Sequence, residues 1–397
     1  MKDILIIAHF CSDFDGKGNN RFNYLAKLLT DYQCKVELVT TDFSHSKKKQ
    51  RENIESGLPY KLTMISEPGY KKNISIKRFY SHYVMGKNLK DYLSKREKPD
   101  IIYCGVPSLD AAKAAARYAN KNEVRFIIDI QDLWPEAFKM VFNLPVISNL
   151  IFYPMKKTAN YIYGSADDII AVSKTYVDRA INVNRKCKNG SPIYIGTNLN
   201  NFDSLVIKNK ITNKLEDELW LAYIGTLGHS YDIRCVIDAL SILKANGMLN
   251  IKFIIMGDGP LRSELEEYAK NRDIYCDFTG SLSYDKMVGV LSSCDIAVNP
   301  ISHGAAGSII NKHGDYAAAG LPVINTQECL EYRKLVENYN MGYNCENSNP
   351  EDLADKLLIL YSDKKLRETM GQNSRRLAED KFDRNHTYSK IVQLILQ

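Results

Sequence analysis

Ser308-Ile309-Ile310-Asn311-Lys312-His313-Gly314-Asp315-Tyr316-Ala317-Ala318-Ala319-Gly320-Leu321-Pro322-Val323-Ile324-Asn325-Thr326 reads as a short helix that stops at a buried strand. Lys312 and Asp315 lie three apart and share a helix face. Ala317-Ala318-Ala319 permits close packing, Gly320 suits a left-handed C-cap, and Leu321-Pro322-Val323-Ile324 has the apolar continuity of a strand start. Upstream, Gly304-Ala305-Ala306-Gly307-Ser308 carries little side chain, which leaves backbone N–H groups open to an oxyanion at the positive end of the helix dipole. One cation and one carboxylate in this setting suit an anionic, hydroxyl-bearing ligand. Taken alone, the pair fits an exposed salt bridge on an ordinary amphipathic helix equally well.

The alternation of apolar run and helical pattern extends outward from this stretch. Downstream of residue 219 it predicts strands at Trp220–Ile224, Ile251–Met256, Tyr275–Thr279, Asp295–Asn299 and Pro322–Asn325, with helices over Asp232–Asn246, Leu261–Asn271, Tyr284–Ser293 and 308–319. The first half predicts strands at Ile4–Ala8, Lys35–Thr40, Ile101–Cys104, Arg125–Ile130 and within Ala166–Ser173, with helices near Arg21–Tyr32 and Ser108–Asn120. Such alternation argues for parallel sheets wrapped by helices. The expectation is an α/β chain of two Rossmann-like doubly wound domains, 1–195 and 196–383, facing a central cleft. A last helix, about 384–397, has an apolar face at Tyr388, Ile391, Val392 and Ile395 that suits packing back on the first domain.

Bulk properties agree. A chain of 397 residues exceeds what one core usually organises, and its 45% hydrophobic and 25% charged residues are ordinary for a globular protein. The start, Met1-Lys2-Asp3-Ile4-Leu5, enters a strand pattern at once, which argues against a signal peptide, and no long apolar run suggests a membrane span. The nine scattered cysteines read as reduced thiols of a cytosolic protein. The net charge of +6 is concentrated in two clusters, His45–Arg51 and Lys71–Arg78, which suit a phosphate-rich surface or are solvated loops. With no recognisable nucleic-acid motif beside them, nucleic acid is not an expected partner.

Glycines close two further predicted strands of the second half, in Gly225-Thr226-Leu227-Gly228 and Gly257-Asp258-Gly259-Pro260. Glycine there either lets a ligand approach the backbone or makes a tight turn. Two such loops beside the 308–319 helix favour a nucleotide-diphosphate pocket, with Phe278–Leu282 offering backbone groups to a base. In the first half, Gly16-Lys17-Gly18-Asn19-Asn20-Arg21 begins like a dinucleotide fingerprint, but Arg21 stands where the third glycine belongs. An open loop admitting a phosphate or sugar near Lys17, Asn19 and Arg21 is the better expectation. Asp132-Leu133-Trp134-Pro135-Glu136 follows a buried strand; Asp132 is placed for a cleft, and Trp134 is a sugar platform or core. Asp13 and Asp15 lack a third ligand, so no metal site is expected. His9 reads as a core histidine.

This ordered set resembles the retaining, nucleotide-sugar-dependent glycosyltransferases of the GT-B fold, family 4, the group that builds capsule and O-antigen repeat units. Its most specific elements are Asp132–Glu136, Ala166–Ser173, Gly257–Pro260 and Asn311–Ile324. The resemblance implies that Asp315 binds ribose hydroxyls, that Lys312 lies near the diphosphate, and that Gly304, Ala305, Ala306, Gly307 and Ser308 surround the donor sugar. With Gly225, Thr226, Leu227, Gly228, Gly257 and Leu282 these form the expected donor site; Lys17, Asn19, Arg21, Trp134 and Glu136 form the acceptor side. Lys312 is expected to stabilise the departing diphosphate and Asp132 to orient the acceptor. The family often has a second acid eight residues before the one matching Asp315, where this chain has Gly307, so contacts to the sugar differ here.

The resemblance further implies transfer with retention, no required metal or other cofactor, a UDP-sugar donor by family frequency, and a polyprenyl diphosphate-linked saccharide acceptor at the cytoplasmic membrane face. Residues 141–157, apolar, aromatic and closed by Lys156 and Lys157, suit peripheral membrane contact or a buried helix. Two other readings are a sugar-nucleotide epimerase on the same fold and a non-enzymatic two-lobed sugar-binding protein.

Overall fold

The computed structural model describes residues 1–397 except 12–13, 15–19, 52–56, 74, 142–149, 188, 210, 212–213, 249 and 306, and the side chains of 139–141. Asp13, Asp15, Lys17, Asn19, Ala306 and residues 142–149 of the 141–157 segment therefore lie outside the described residues. The chain divides into two compact units, Met1–Ile193 with Tyr388–Gln397, and Tyr194–Thr387.

The first unit runs β1 (Asp3–Ile7), α1 (Arg21–Asp31), β2 (Lys35–Thr41), β3 (Phe43–Ser44), β4 (Lys49–Gln50), β5 (Lys61–Ile65), α2 (Ile76–Lys95), β6 (Ile101–Val106), α3 (Leu109–Asn122), β7 (Arg125–Ile130), α4 (Glu136–Val141), α5 (Tyr153–Ser165), β8 (Asp168–Ala171), α6 (Lys174–Ile181) and β9 (Ser191–Pro192). Its sheet has the order β5-β2-β1-β6-β7-β8-β9, parallel throughout. Central strands such as β6 are buried along their whole length, because helices cover both faces of a parallel sheet. Tyr388, Ile391, Val392 and Ile395 of the last helix enter the core that holds Ile4, Ile6, Leu25 and Leu38.

Arg21 departs from expectation. It opens α1 but is buried, donating from Nε to Asp129 Oδ2 at 2.6 Å and from Nη1 to the Ile193 carbonyl at 2.9 Å; Tyr103 donates to the same carboxylate at 2.7 Å. Its role is to neutralise a carboxylate inside β7, not to meet an acceptor phosphate. Helix α2, 20 residues long, was not legible in the sequence. Its buried face carries Ser81, His82 and Gly86 among Met85, Leu89 and Leu93, so the apolar stripe that marks a helix is diluted. Gly86 packs tightly there: an added Cβ would lie 2.9 Å from the Asp110 backbone on α3.

The second unit runs α7 (Leu199–Asn209), β10 (Leu219–Ile224), α8 (Ile233–Ala245), β11 (Ile251–Met256), α9 (Arg262–Asn271), β12 (Cys276–Gly280), α10 (Tyr284–Leu291), β13 (Ile296–Asn299), α11 (Asn311–Ala318), β14 (Val323–Asn325), α12 (Leu330–Tyr339), β15 (Gly342–Asn344), α13 (Pro350–Ser362) and α14 (Lys364–Leu377). A π-helical turn, Ala378–Phe382, leads to α15 (Arg384–Leu396), whose last residues belong to the first unit. The sheet order is β12-β11-β10-β13-β14-β15, again parallel. Helix α11 starts three residues later than the sequence suggested: Ile310 is extended, and its N–H donates to His313 Nδ1. Gly320 takes φ +64° just past the helix, a conformation that costs other residues more. Among the described residues no helix is long and apolar enough to cross a membrane.

Candidate functional site

The loops after β10, β11 and β13 meet at the carboxyl edge of the second sheet. Tyr223 Oη donates to the Thr226 carbonyl at 2.9 Å, which curls the first loop, and Leu227 N–H donates to the Asp258 carbonyl at 2.9 Å. The glycines of the second loop serve this contact. A Cβ on Gly257 would fall 1.8 Å from the Gly225 carbonyl oxygen, and one on Gly259 would fall 2.3 Å from that of Leu227. Gly257 is thus required by loop-on-loop packing and not, as expected, by a ligand. The first loop keeps its openness: Gly225 has φ +145°, and beside Gly228 only Thr226 comes near.

Lys312, in the first turn of α11, points at this loop. It is 7% exposed, its side-chain nitrogen has no hydrogen-bond partner among the described residues, and it sits 4.2 Å and 4.0 Å from the ring centroids of Tyr223 and Tyr231. A Cβ on Gly225 would come within 2.9 Å of Nζ. Burial pushes the lysine's pKa well below its ordinary value. Two aromatic faces offset part of the desolvation of a cation, but a buried ammonium without an anion remains costly. The arrangement is that of a cation site lacking its counter-charge.

Asp315 diverges from Lys312, and no ion pair joins them among the described residues. Thr197 Oγ1 and Tyr284 Oη both donate to its Oδ1, at 2.8 Å and 2.9 Å, leaving Oδ2 out of these two bonds. Burial raises its pKa, and the two hydroxyls oppose that. The exposed salt-bridge reading of this helix is excluded: residues 312–318 are all buried. Tyr316 fixes the helix on the sheet, accepting from Ile224 N–H at 2.9 Å and donating to the Val298 carbonyl at 3.1 Å.

Sequence reasoning missed Tyr223, Tyr231, Thr197 and Tyr284, which lie 31 to 118 positions before the helix residues they touch. Only the fold brings them there. It also missed a ladder of asparagines in register across three strands. Asn299 donates to Asn325 at 2.8 Å and Asn325 to Asn344 at 2.9 Å, while Gln327 Nε2 holds the Ser308 carbonyl at 2.7 Å. His313, stacked on Tyr332 at 3.5 Å, joins the ladder through Asn299. The glycine-rich loop is partly occupied from within: Gly304 N–H donates to Glu328 at 3.1 Å, and Ala305 N–H donates to the Ser302 carbonyl. Gly307 is open, with nothing within 4 Å of an added Cβ. The Phe278 carbonyl already accepts from Arg262 and so does not hold a base as expected, while the Leu282 side chain packs against the unit's core.

In the first unit, Asp132 accepts from Leu133 N–H at 2.9 Å and Trp134 Nε1 at 3.1 Å, which makes it a clamp on its own turn. Trp134 is 5% exposed, stacked on His82 and tilted against Phe138, so it is core and not a sugar platform. Glu136 accepts from Arg179 Nε at 2.6 Å through Oε1, while its buried Oε2 has no hydrogen-bond partner among the described residues. His9 is a core histidine between Glu67 and Ser108.

Two parallel doubly wound units define an α/β protein of the GT-B fold. Residues 207–377 match the family described as glycosyl transferases group 1. The chain is 27% identical to an uncharacterised glycosyltransferase of Methanocaldococcus jannaschii over 58% of its own length and 59% of the relative's. It is 23% identical to a capsular polysaccharide biosynthesis glycosyltransferase of Staphylococcus aureus, over 76% and 78%. A Campylobacter jejuni N-acetylgalactosaminyltransferase, named for a diphosphate-undecaprenol-linked acceptor, is 25% identical over 47% and 50%. The matches thus span about six tenths of the archaeal relative and half of the Campylobacter one. Among solved structures, Anabaena Alr3699/HepE in complex with UDP and glucose superposes with TM-score 0.73 at 15% identity, covering 100% of both chains. A putative UDP-N-acetylglucosamine 2-epimerase from Listeria monocytogenes gives TM-score 0.63 at 13% identity, covering 100% of this chain and 96% of that one. These two likenesses establish the fold, which is shared by both kinds of enzyme.

Proposed function

We propose that the protein is a glycosyltransferase that moves a sugar, hexose or N-acetylhexosamine, from a nucleotide diphosphate donor to a lipid-linked saccharide during surface polysaccharide assembly. The observation that carries this is Lys312: a buried lysine with no counter-charge among the described residues, beside an open glycine loop, inside the segment that matches glycosyl transferases group 1. A donor's diphosphate supplies that charge. The capsule-type and diphosphate-undecaprenol-type relatives support the acceptor class, and the uridine base follows from the family resemblance. The cytoplasmic membrane face is the corresponding site of action.

In the proposed reaction the bond between the sugar's anomeric carbon and the phosphate oxygen breaks, and the acceptor oxygen bonds to that carbon on the same face. The acceptor's proton passes to the leaving phosphate, so configuration is retained. The protein's contribution is orientation and charge stabilisation. Lys312 and backbone N–H groups around Gly225–Gly228 meet the departing diphosphate, and Asp315 offers Oδ2 to the ribose. The reading calls for no metal, Lys312 being the group that would compensate the charge of the phosphates.

The test is transfer from labelled UDP-, GDP- and ADP-sugars to extracted polyprenyl-linked saccharides, with and without EDTA, with the product anomer read by NMR. Retained configuration, EDTA-insensitive turnover and loss of activity in Lys312→Ala are the expected results. Interconversion of a free UDP-sugar without any acceptor would replace this reading by the epimerase one.

A further inference from the structure

The loop between β13 and α11 is held at both ends by two consecutive residues that follow β14. Gln327 Nε2 donates to the Ser308 carbonyl at 2.7 Å, and Glu328 Oε2 accepts from Gly304 N–H at 3.1 Å. Glu328 Oε1 lies 2.8 Å from His303 Nδ1. Residues 302–308, Ser-His-Gly-Ala-Ala-Gly-Ser, contain no acid of their own, so this carboxylate reaches the loop from the neighbouring strand end.

The same loop adjoins the lysine site. Ile301, just before it, forms an antiparallel bridge with Tyr231, whose ring centroid lies 4.0 Å from Lys312 Nζ. Ser302 N–H donates to the Ser230 carbonyl at 3.1 Å, and Ser302 Oγ donates to the His229 carbonyl at 2.9 Å. A positive centre at Lys312 and a negative one at Glu328 are thus joined through contacts between the same two loops. Asp315, the carboxylate of α11 itself, is turned instead to Thr197 and Tyr284.

The partner that suits Glu328 follows from its charge and its unused acceptor positions. A carboxylate accepts about four hydrogen bonds, and Gly304 and His303 take one each. The side chain is 44% exposed, and nothing lies within 4 Å of a Cβ added to Gly304 or Gly307. The Gly304 N–H, foremost, holds the carboxyl below its ordinary pKa and so keeps it ionised. An ionised carboxylate repels phosphate and accepts only, which leaves an uncharged group rich in O–H donors as its partner. Exposed ion pairs add little to stability, so the fold itself does not call for this one.

We infer that Glu328 is a specificity-determining residue of the donor site, accepting hydrogen bonds from hydroxyls of the sugar while Lys312 meets the diphosphate. This deepens the donor reading and rests on it. The negative and polyhydroxyl parts of one ligand then face a cation and an acceptor in turn. A donor with no hydroxyl directed at the loop leaves the carboxylate unpaired, which is how a site built to hydrogen-bond a hydroxyl rejects an analogue lacking it.

The experiment is isothermal titration of UDP, UDP-glucose, UDP-galactose and UDP-N-acetylglucosamine into the full chain, as wild type, Glu328→Ala and Glu328→Gln, with a melting temperature for each protein. The readout is the ratio of UDP-sugar affinity to UDP affinity, taken for the sugar that the wild type binds most tightly. That ratio is expected to fall about tenfold or more in Glu328→Ala, the loss of one hydrogen bond to a charged acceptor. Glu328→Gln keeps a neutral acceptor oxygen and should lose less. In both variants UDP affinity and melting temperature should match the wild type. An unchanged ratio in Glu328→Ala, or equal losses for UDP and UDP-sugar, the mark of a residue that merely fastens the loop, would overturn the inference and leave the donor site standing. No binding of UDP or its sugars by the wild type would overturn the donor reading itself, and the inference with it.

Discussion

The buried ammonium of Lys312 ties stability to function at a single residue. An amine buried without a partner costs the empty protein stability in either protonation state, and an apolar replacement of similar length removes that cost. Lys312→Met is expected to raise the melting temperature of the ligand-free second unit by about 2–4 °C, equivalent to about 1 kcal/mol, as read by calorimetry. The same change should weaken UDP binding about 10- to 100-fold, the loss of one charge-assisted hydrogen bond. Because burial lowers the lysine's pKa and a bound diphosphate raises it again, binding takes up a proton. UDP affinity should therefore fall as pH rises above the free-site pKa, by at most about tenfold per pH unit, and this slope should vanish in Lys312→Met. Titrations across a broad pH range below the ordinary lysine pKa, in buffers of different ionisation enthalpy, check both points. Asp315 behaves differently: in Asp315→Ala the hydroxyls of Thr197 and Tyr284 lose their acceptor, so a stability loss of about 1–3 kcal/mol should accompany any loss of binding.

Among the elements, the glycine loops separate structural from ligand-facing roles. Gly257→Ala drives a Cβ into the Gly225 carbonyl and should displace the loop facing Lys312, abolishing UDP binding, whereas Gly307→Ala meets open space and should leave the fold intact. Thermal melts with and without UDP distinguish the two. The last helix is a second case. Tyr388, Ile391, Val392 and Ile395 are fully buried in the first unit, and at about 1.5–3 kcal/mol each their removal exceeds a typical domain's margin. Truncation after Asp383 is expected to leave that unit unfolded by near-UV circular dichroism. Elements with strong periodicity, such as β7 and β11, were legible in the sequence to the residue, because local pattern and burial agree there. Helix α2 was not, since Ser81, His82 and Gly86 occupy its buried face, and neither was the short edge strand β5, Lys61–Ile65.

Over the whole molecule, the α/β class and the two doubly wound units were visible as alternation along the chain. The candidate site was visible only in part. Lys312 and Gly225 are marked by residue type, but the tyrosines that cradle the lysine come from β10 and the loop before α8, and nothing local announces them. Arg21 and Trp134 show the reverse error, residues whose chemistry suggests a ligand but whose burial commits them to the core. Lysines of the two basic clusters line one cavity because β3–β4 and α2 fold beside each other, a long-range pairing invisible to composition. The central claim is that the second unit holds a nucleotide diphosphate against Lys312. Its most direct test is isothermal titration of UDP and UMP into the wild-type protein and Lys312→Met. UDP binding more tightly than UMP, with that preference lost in the variant, is the predicted result; no binding of UDP, GDP or ADP, or an equal preference in the variant, would contradict it.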